Sequence, residues 1–558
     1  MKTLFKYDHY YDYEEIENCL NTFKERFPHL VDLDANCITQ ENRKQFLVTI
    51  TNKDTGKAID KPAFYLDGNI HAGEVTSSMC AMHTIDYLLS NYDTDNSVKN
   101  IIDSSAIYVI PRVSPDGAET YLKTPYTLRS VNKENLPEKG GIKTEDLDND
   151  GVIRMMRIKT PYGAWKIDKD DNLALRDPSD VDGEYYDIYP EGLLEEYDGD
   201  ENLKTKKMDW DLDYNRNFPY GWFPEGRQKG AGKYPLSNIE TKALADFVIN
   251  HPNICAAAIG HTSGGIILYP PGTKPSSKAP KSDIEILKTI AKMGEEELGY
   301  KPLNIFDSFL SSQENYDSGA FDDWMFETQG IPAYTMEYWD PASKVGVPVN
   351  WENKDPEPSE SIKRFIAAIK WVKENAPEYY SDWKEFDHPV FGKVEIGGFN
   401  YKFTHQNPPE KFLLNELEAS TRFNVRYMRV LPKLTIDNVN FEKLDDDTYK
   451  VNVTVGNLGY LSTSLTQTAK NMNLNKPVKV SIDNVKVLSG KNKIEIEELE
   501  GYSSTSTGVY FYGNISTSSS AKAKKKLCWL IKAGKGQEIT IKAEHPKAGK
   551  LEKTYIID

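Results

Sequence analysis

The sequence predicts an α/β domain followed by a C-terminal β-sandwich, and three observations carry that prediction. From Tyr10 to about Phe386, amphipathic helical stretches alternate with short apolar strands. After Pro432 the pattern becomes β-type alternation (TYKVNVTV, PVKVSI, GVYFYG, EITIKA), broken by Gly, Asn, Ser and Pro turns about every 8 to 15 residues. No apolar run approaches the roughly 18 residues of a membrane span, while 39 % hydrophobic and 11 % aromatic residues are enough to fill buried cores.

The elements follow in chain order. Strands are expected at Phe46 to Thr51, Ala63 to Leu66, Ala106 to Ile110, Ala256 to Gly260 and Ala333 to Tyr338. Helices are expected at Ser77 to Tyr92, Ile239 to Asn250, Asp283 to Leu298 and Ser359 to Asn375. The stretch from about 132 to 235 is rich in Asp, Gly, Pro and Tyr and reads as a long insertion of loops. These features divide the chain into a first domain over 1–386, a linker and helix over 387–432, and a β-sandwich over 433–558. The linker is His388 to Pro409 and its helix Glu410 to Leu431; Ser516 to Lys526 reads as a solvated loop.

Charge and cysteine usage exclude several classes. With 68 Lys and Arg against 85 Asp and Glu, the net charge is −17, and no basic face is evident for nucleic acid. Five scattered cysteines without CxxC spacing (Cys19, Cys37, Cys80, Cys255, Cys528) read as isolated buried thiols. The start MKTLFKYDHYYDYEE lacks the apolar stretch of a signal peptide, so the expected location is the cytoplasm, or outside the cell if a leader precedes it.

The residues that could carry chemistry begin with His71 and Glu74, three apart at the end of the strand PAFYLD. Imidazole nitrogen and carboxylate oxygen together suit zinc, although the spacing alone fits equally a turn-capping His and a helix-opening Glu. His261 repeats the arrangement at the end of CAAAIG, which makes a third ligand and leaves a fourth position open for water. Glu337 lies in the apolar strand PAYTMEYW, where a carboxylate either faces a site as a general base or sits on an edge strand facing solvent. Asn215 and Arg216 stand side by side among acidic residues, and the planar Arg fork matches a substrate carboxylate or a structural Asp.

This set resembles the zinc metallocarboxypeptidases of the carboxypeptidase A and B type. His71-x-x-Glu74, PRVSPDG (Pro111 to Gly117), Asp213-Tyr214-Asn215-Arg216-Asn217, His261-Thr262-Ser263 and the Glu337 strand occur in the family's order, over roughly Tyr10 to Asn375. The resemblance implies a mixed central sheet flanked by helices, and one zinc ion held by His71, Glu74 and His261. It implies Glu337 as catalytic base, Asn215 and Arg216 as the grip on a peptide's free C-terminal carboxylate, and Asp213 as partner of the first zinc histidine. An oxyanion-stabilising Arg falls on Arg129 by spacing, with Arg157 as the alternative. Tyr316 matches the family's mobile tyrosine, and Asp322 falls where basic-specific members carry an Asp; Asp322 also suits a helix cap.

Two features depart from the family pattern. Asp146, Asp148 and Asp150 form the first half of a calcium loop, but the twelfth position is Arg157, so the segment reads as a Ca2+ site or a plain acidic turn. The sandwich has no counterpart in the minimal family enzyme. The expected function is removal of the last residue from peptides, with a preference for basic ends; no nucleic acid or membrane partner is expected. The competing readings are a zinc amidase acting on cell-wall peptides and an inactive binding protein.

Overall fold

The structure is a computed structural model describing residues 1–130, 141–168, 172–195, 203, 205–206, 212–310, 314, 316–353, 356–504, 506–509, 515–518 and 521–557. Asn132, where the insertion was expected to begin, lies outside them. Eight strands form the main sheet: β1 (Val31–Ile38), β2 (Lys44–Ile50), β3 (Ala63–Gly68), β4 (Ala106–Ile110), β5 (Ile254–Thr262), β6 (Ile266–Tyr269), β7 (Lys301–Asn304) and β8 (Ala333–Tyr338). Their order is β1-β2-β4-β3-β5-β8-β6-β7, with β4, β3, β5 and β8 parallel and the flanks mixed. The expected mixed central sheet is present. β3, β4 and β5 are buried along their whole length, which is why they read as continuous apolar runs.

Helices cover both faces. α1 (Tyr13–Arg26) starts from a capping box in which Asp12 and Glu15 satisfy each other's backbone N–H. α2 (Val75–Asn91) is buried on nearly every residue, and its small side chains let it press against the ends of β3 and β5. A Cβ at Gly68 would lie 2.5 Å from the Ser77 carbonyl oxygen, and one at Gly260 would lie 2.8 Å from the Ser77 Cβ. α3 (Asn96–Ser104), α4 (Pro115–Lys123), α5 (Ile239–Asn250), α6 (Lys281–Leu298), α7 (Phe321–Gln329) and α8 (Pro358–Asn375) follow, and α9 (Glu410–Met428) packs on α2 and α6.

The region expected to be loops is partly sheet. Met155–Lys159, Trp165–Ile167, Leu173–Leu175 and Tyr186–Pro190 join Tyr380–His388 and Gly392–Phe399 in a six-stranded sheet. The stretch read as a linker therefore supplies a strand, Gly392–Phe399, that pairs antiparallel with Met155–Lys159 on one side and with Tyr380–His388 on the other. Leu173, Phe399, Ile369 and Val372 give this layer a core shared with α8.

Two four-stranded antiparallel sheets follow after residue 433, one containing Thr448–Asn457 and Lys524–Lys532, the other Val478–Asp483 and Glu538–His545. Val451, Trp529, Val480 and Ile541 fill the space between them. Asp283 at the start of α6 accepts from the backbone N–H groups of Gln467 and Thr468 and from the Thr468 hydroxyl. Lys547 donates to the Ile254 carbonyl at 2.6 Å, so the sandwich is tied to the central sheet. Cys19, Cys80 and Cys255 are buried, but Cys37 is partly exposed and Cys528 exposed, because Cys528 points outward on its strand; all five are free. No described helix is long and apolar enough to cross a membrane.

Candidate metal centre and active site

β3, β5 and β8 are adjacent and parallel, so their carboxyl ends open on one crevice, where open α/β sheets bind ligands. Just after β3, Asn69 adopts φ 63°, and its side-chain amide donates to the carbonyls of His71 and Ala72. This turn brings His71 inward. Glu74 stands at the N-cap of α2, yet its side chain makes no capping bond and turns to the histidines instead.

The three candidate ligands converge. His71 Nδ1 lies 2.9 Å from Glu74 Oε1 and 3.1 Å from His261 Nδ1, while His261 Nδ1 lies 3.0 Å from Glu74 Oε2. All three residues are buried. Two imidazole nitrogens aimed at one another and at a carboxylate leave more acceptors than protons, and Glu74 Oε2 makes no hydrogen bond. The donor set and its spacing fit a divalent cation of zinc's chemistry.

Asp213 ties this centre to Arg129. Its Oδ1 is 3.1 Å from His71 Nε2 and accepts from the Asn215 backbone N–H at 2.8 Å, and its Oδ2 accepts from Arg129 Nε at 2.8 Å. Burial alone would raise the Asp213 carboxyl, but Arg129 and His71 overcome it and hold the group well below the ordinary carboxylate range. Arg129 reaches 3.5 Å from Glu74 Oε1, and its side chain remains 42 % exposed to the crevice. The loop carrying it is fixed by Ala72, whose N–H donates to the Arg129 carbonyl at 2.7 Å. A Cβ at Gly117 would lie 1.8 Å from the Ser130 carbonyl oxygen, so the glycine of PRVSPDG is what lets this loop lie against α4. Arg157 is elsewhere: it pairs with Glu395 and stacks on Tyr186 and Trp383 in the six-stranded sheet.

Glu337 lies opposite His261 in the β5–β8 register, and β8 is an interior strand, not an edge. Burial, then the Glu74 carboxylate, push its carboxyl well above the ordinary range, with Arg129 acting the other way. Thr335, two residues earlier on the same face of β8, donates to Asp322 Oδ2 at 2.8 Å. Asp322 is buried, and the N-cap of α7 is Ala320, so Asp322 is not a cap. Asn215 accepts from the Phe321 backbone N–H, and Arg216 donates to Asp317 at 3.0 Å. Tyr316 is not at the metal centre; its ring packs between Phe223 and Phe306.

A family profile described as zinc carboxypeptidase matches residues 16–159 and 181–351, more than half of the chain. The chain belongs to the zinc carboxypeptidase family. Its alignment with mouse carboxypeptidase D is 27 % identical over 111 residues, 20 % of this chain and 8 % of that protein. With a zinc carboxypeptidase of Saccharothrix mutabilis subsp. capreolus it is 29 % identical over 148 residues, 26 % of this chain and 33 % of that one. The chain thus spans a third or less of the length of these relatives. A crystal structure of thrombin activatable fibrinolysis inhibitor aligns with TM-score 0.41 and 20 % identity over 66 % of this chain and 76 % of that one. A domain of unknown function matches residues 433–555. Zinc is the metal of the zinc carboxypeptidase family, and the His71, Glu74 and His261 cluster fits it.

Calcium at Asp146, Asp148 and Asp150 is not assigned. Asp150 pairs with Arg154, and the carboxylates that approach one another are Asp146, Asp148 and Glu191. Buried Glu191 already accepts from the backbone N–H groups of Leu147, Asp148 and Arg154, so it clamps the loop from within. Burial pushes its carboxyl up to about 7.

One residue that braces the candidate site had no signal of that role in the sequence. Asn407 accepts from the Thr76 N–H and hydroxyl and donates to the Gly73 carbonyl, bracing the turn between the first two ligands. The Asn-Pro-Pro signal before α9 was visible, but nothing local ties it to a turn some 330 residues away.

Proposed function

We propose that the chain is a zinc metallocarboxypeptidase that hydrolyses the last peptide bond of substrates with a free C-terminal carboxylate, preferring basic ends. The observation that carries the reading is the buried convergence of His71, Glu74 and His261 beside Glu337 in a member of this family. When bound there, zinc polarises the scissile carbonyl and acidifies a water. Glu337, its carboxyl raised by burial, accepts a proton from the attacking water and returns it to the leaving amine nitrogen. Arg129, held by Asp213, donates to the developing oxyanion. Asn215 and Arg216 hold the terminal carboxylate, for which Arg216 exchanges its exposed partner Asp317. Tyr316 reaches the chain end only by leaving its present packing.

The preference for basic ends rests on Asp322, a buried carboxylate at the start of α7 that accepts from Thr335 on the Glu337 face of β8. Two neighbouring buried carboxylates favour a cationic side chain between them. The test is mass spectrometry of peptides ending in Lys, Arg, Phe, Glu or diaminopimelate, free and amidated, with and without chelator. Chelator-sensitive loss of one residue from free ends is expected, fastest from Lys and Arg. Cleavage of amidated ends, or none by zinc-loaded protein, overturns the reading, and an unchanged profile in Asp322→Ile overturns the pocket.

A further inference from the structure

A cavity of about 570 Å³ lies on the far side of the Arg129 loop, between the end of α4, the insertion and residues 400–403. Its size falls within the roughly 300–1,000 Å³ of ordinary ligand pockets. Tyr189, Ile188, Phe365, Tyr401 and Phe403 line it, and among the described residues no carboxylate does. The two cationic side chains among its described lining residues are engaged: Arg154 pairs with Asp150, and Lys402 donates to the carbonyls of Tyr121 and Thr124 at 2.6 Å each. What remains is a mainly aromatic and aliphatic wall, with Thr124, Thr127, Thr144 and Asn400 as its uncharged polar members.

The cavity adjoins the catalytic crevice without sharing a lining residue with the metal centre. Thr127, two residues before Arg129, is on its rim, and Tyr121 on its wall lies 2.8 Å from where a Cβ of Gly73 would be, between His71 and Glu74. Burial and then the nearby Glu74 carboxylate raise the ionisation of the Tyr401 hydroxyl on the cavity wall. The cavity shares no lining residue with the side that holds Asn215, Arg216 and Asp322. A peptide whose terminal carboxylate is on Arg216 and whose scissile carbonyl is by Arg129 therefore continues, on its acyl side, toward this cavity. Phe365, Tyr401 and Phe403 lie beyond the residues that match the family.

Resting on the carboxypeptidase reading, we infer that this cavity binds the side chains upstream of the scissile bond and selects apolar or aromatic residues there. The test compares kcat/KM for free-ended tetrapeptides carrying Phe and Leu, or Gly and Gly, at the second and third positions from the C-terminus, with a blocked dipeptide of the same last residue as reference. Burying one such side chain predicts a preference of about tenfold or more for the Phe-Leu peptide. Tyr189→Ala and Phe365→Ala should collapse the tetrapeptide-to-dipeptide ratio, and Tyr189→Phe should keep it. Equal rates for the two tetrapeptides, or a preference surviving both alanine variants, overturn the inference. Calorimetric binding of the same peptides reads the cavity independently: tighter binding of the Phe-Leu peptide, weakened by either alanine variant, supports it, and equal binding refutes it. Failure of the carboxypeptidase reading shows separately, as loss of dipeptide turnover.

Discussion

Replacing Asp213 by Asn preserves shape and removes the charge on which two sides of the site depend. Asp213 Oδ1 serves His71 Nε2 and the Asn215 N–H, and Oδ2 serves Arg129 Nε. An amide cannot satisfy both sets. With its oxygen toward His71, the NH2 group meets the Arg129 N–H donor; flipped, it meets the Asn215 N–H. Either way one donor–donor contact replaces a charge-assisted hydrogen bond, a loss of about 1.5–3 kcal/mol in apo stability. Partners behind metal-ligating histidines are typically worth about 10- to 100-fold in metal affinity, because they fix ring orientation and basicity. The expected outcome for Asp213→Asn is zinc affinity weaker by about that factor, measured by competition with a chelating indicator, together with a lower apo Tm. Zinc affinity within twofold of wild type at an unchanged Tm would refute the coupling of His71 to Arg129 through Asp213.

Glu337→Gln should retain stoichiometric zinc and lose about 10²- to 10⁴-fold in kcat, the usual worth of positioned proton transfer; retained turnover removes Glu337 as the base. Asp317→Asn frees Arg216 from an exposed partner, so KM should fall by up to about fivefold with kcat little changed, as expected for a pair in water; a raised KM means that Asp317 helps to bind substrate. His83 is buried against Tyr7 and Thr421, and burial lowers its ring to about 4. The folded protein thus holds the neutral ring while the unfolded chain takes a proton near 6.5, so this contribution is complete above pH 6.5 and lost as pH falls toward 4. Urea unfolding at pH 6.5 and 4.5 should show His83→Gln losing about 2 kcal/mol less than wild type over that interval; identical losses exclude His83 as the titrating group.

The candidate metal cluster was legible because its two histidines stand at strand ends with a local reason to be there. His71 and His261 follow fully buried apolar runs, and Gly68 and Gly260 beside them admit α2 at distances that exclude a side chain. Glu337 was conspicuous as a carboxylate in an apolar strand. The sheet joining residues 155–190 to 380–399 was not legible, since its strands are short and the one pairing that unites its two halves sets Arg157 beside Glu395, 238 positions away. Local alternation cannot reveal such pairing, so Gly392–Phe399 read as linker. The partner of Arg216 was equally hidden, because Asp317 is 101 positions distant and exposed.

The segments outside the family match do more than cover the domain that matches the family. Asn407 and Gln406, on the approach to α9, contact Gly73 and Tyr121, so the turn carrying His71 and Glu74 is braced from residues that the family core does not supply. Lys402 holds the carbonyls of Tyr121 and Thr124 at the start of the stretch that leads to Arg129, and burial lowers its amine to about 7. A side chain kept at that cost in desolvation, with two carbonyls as its partners, fixes the exit of α4. The same extra residues thus shape the metal turn, the Arg129 loop and the wall of the upstream cavity. On the proposed reading, acyl-side preference and the order of the Arg129 loop have a common origin, and a substitution that loosens residues 400–407 should disturb both together.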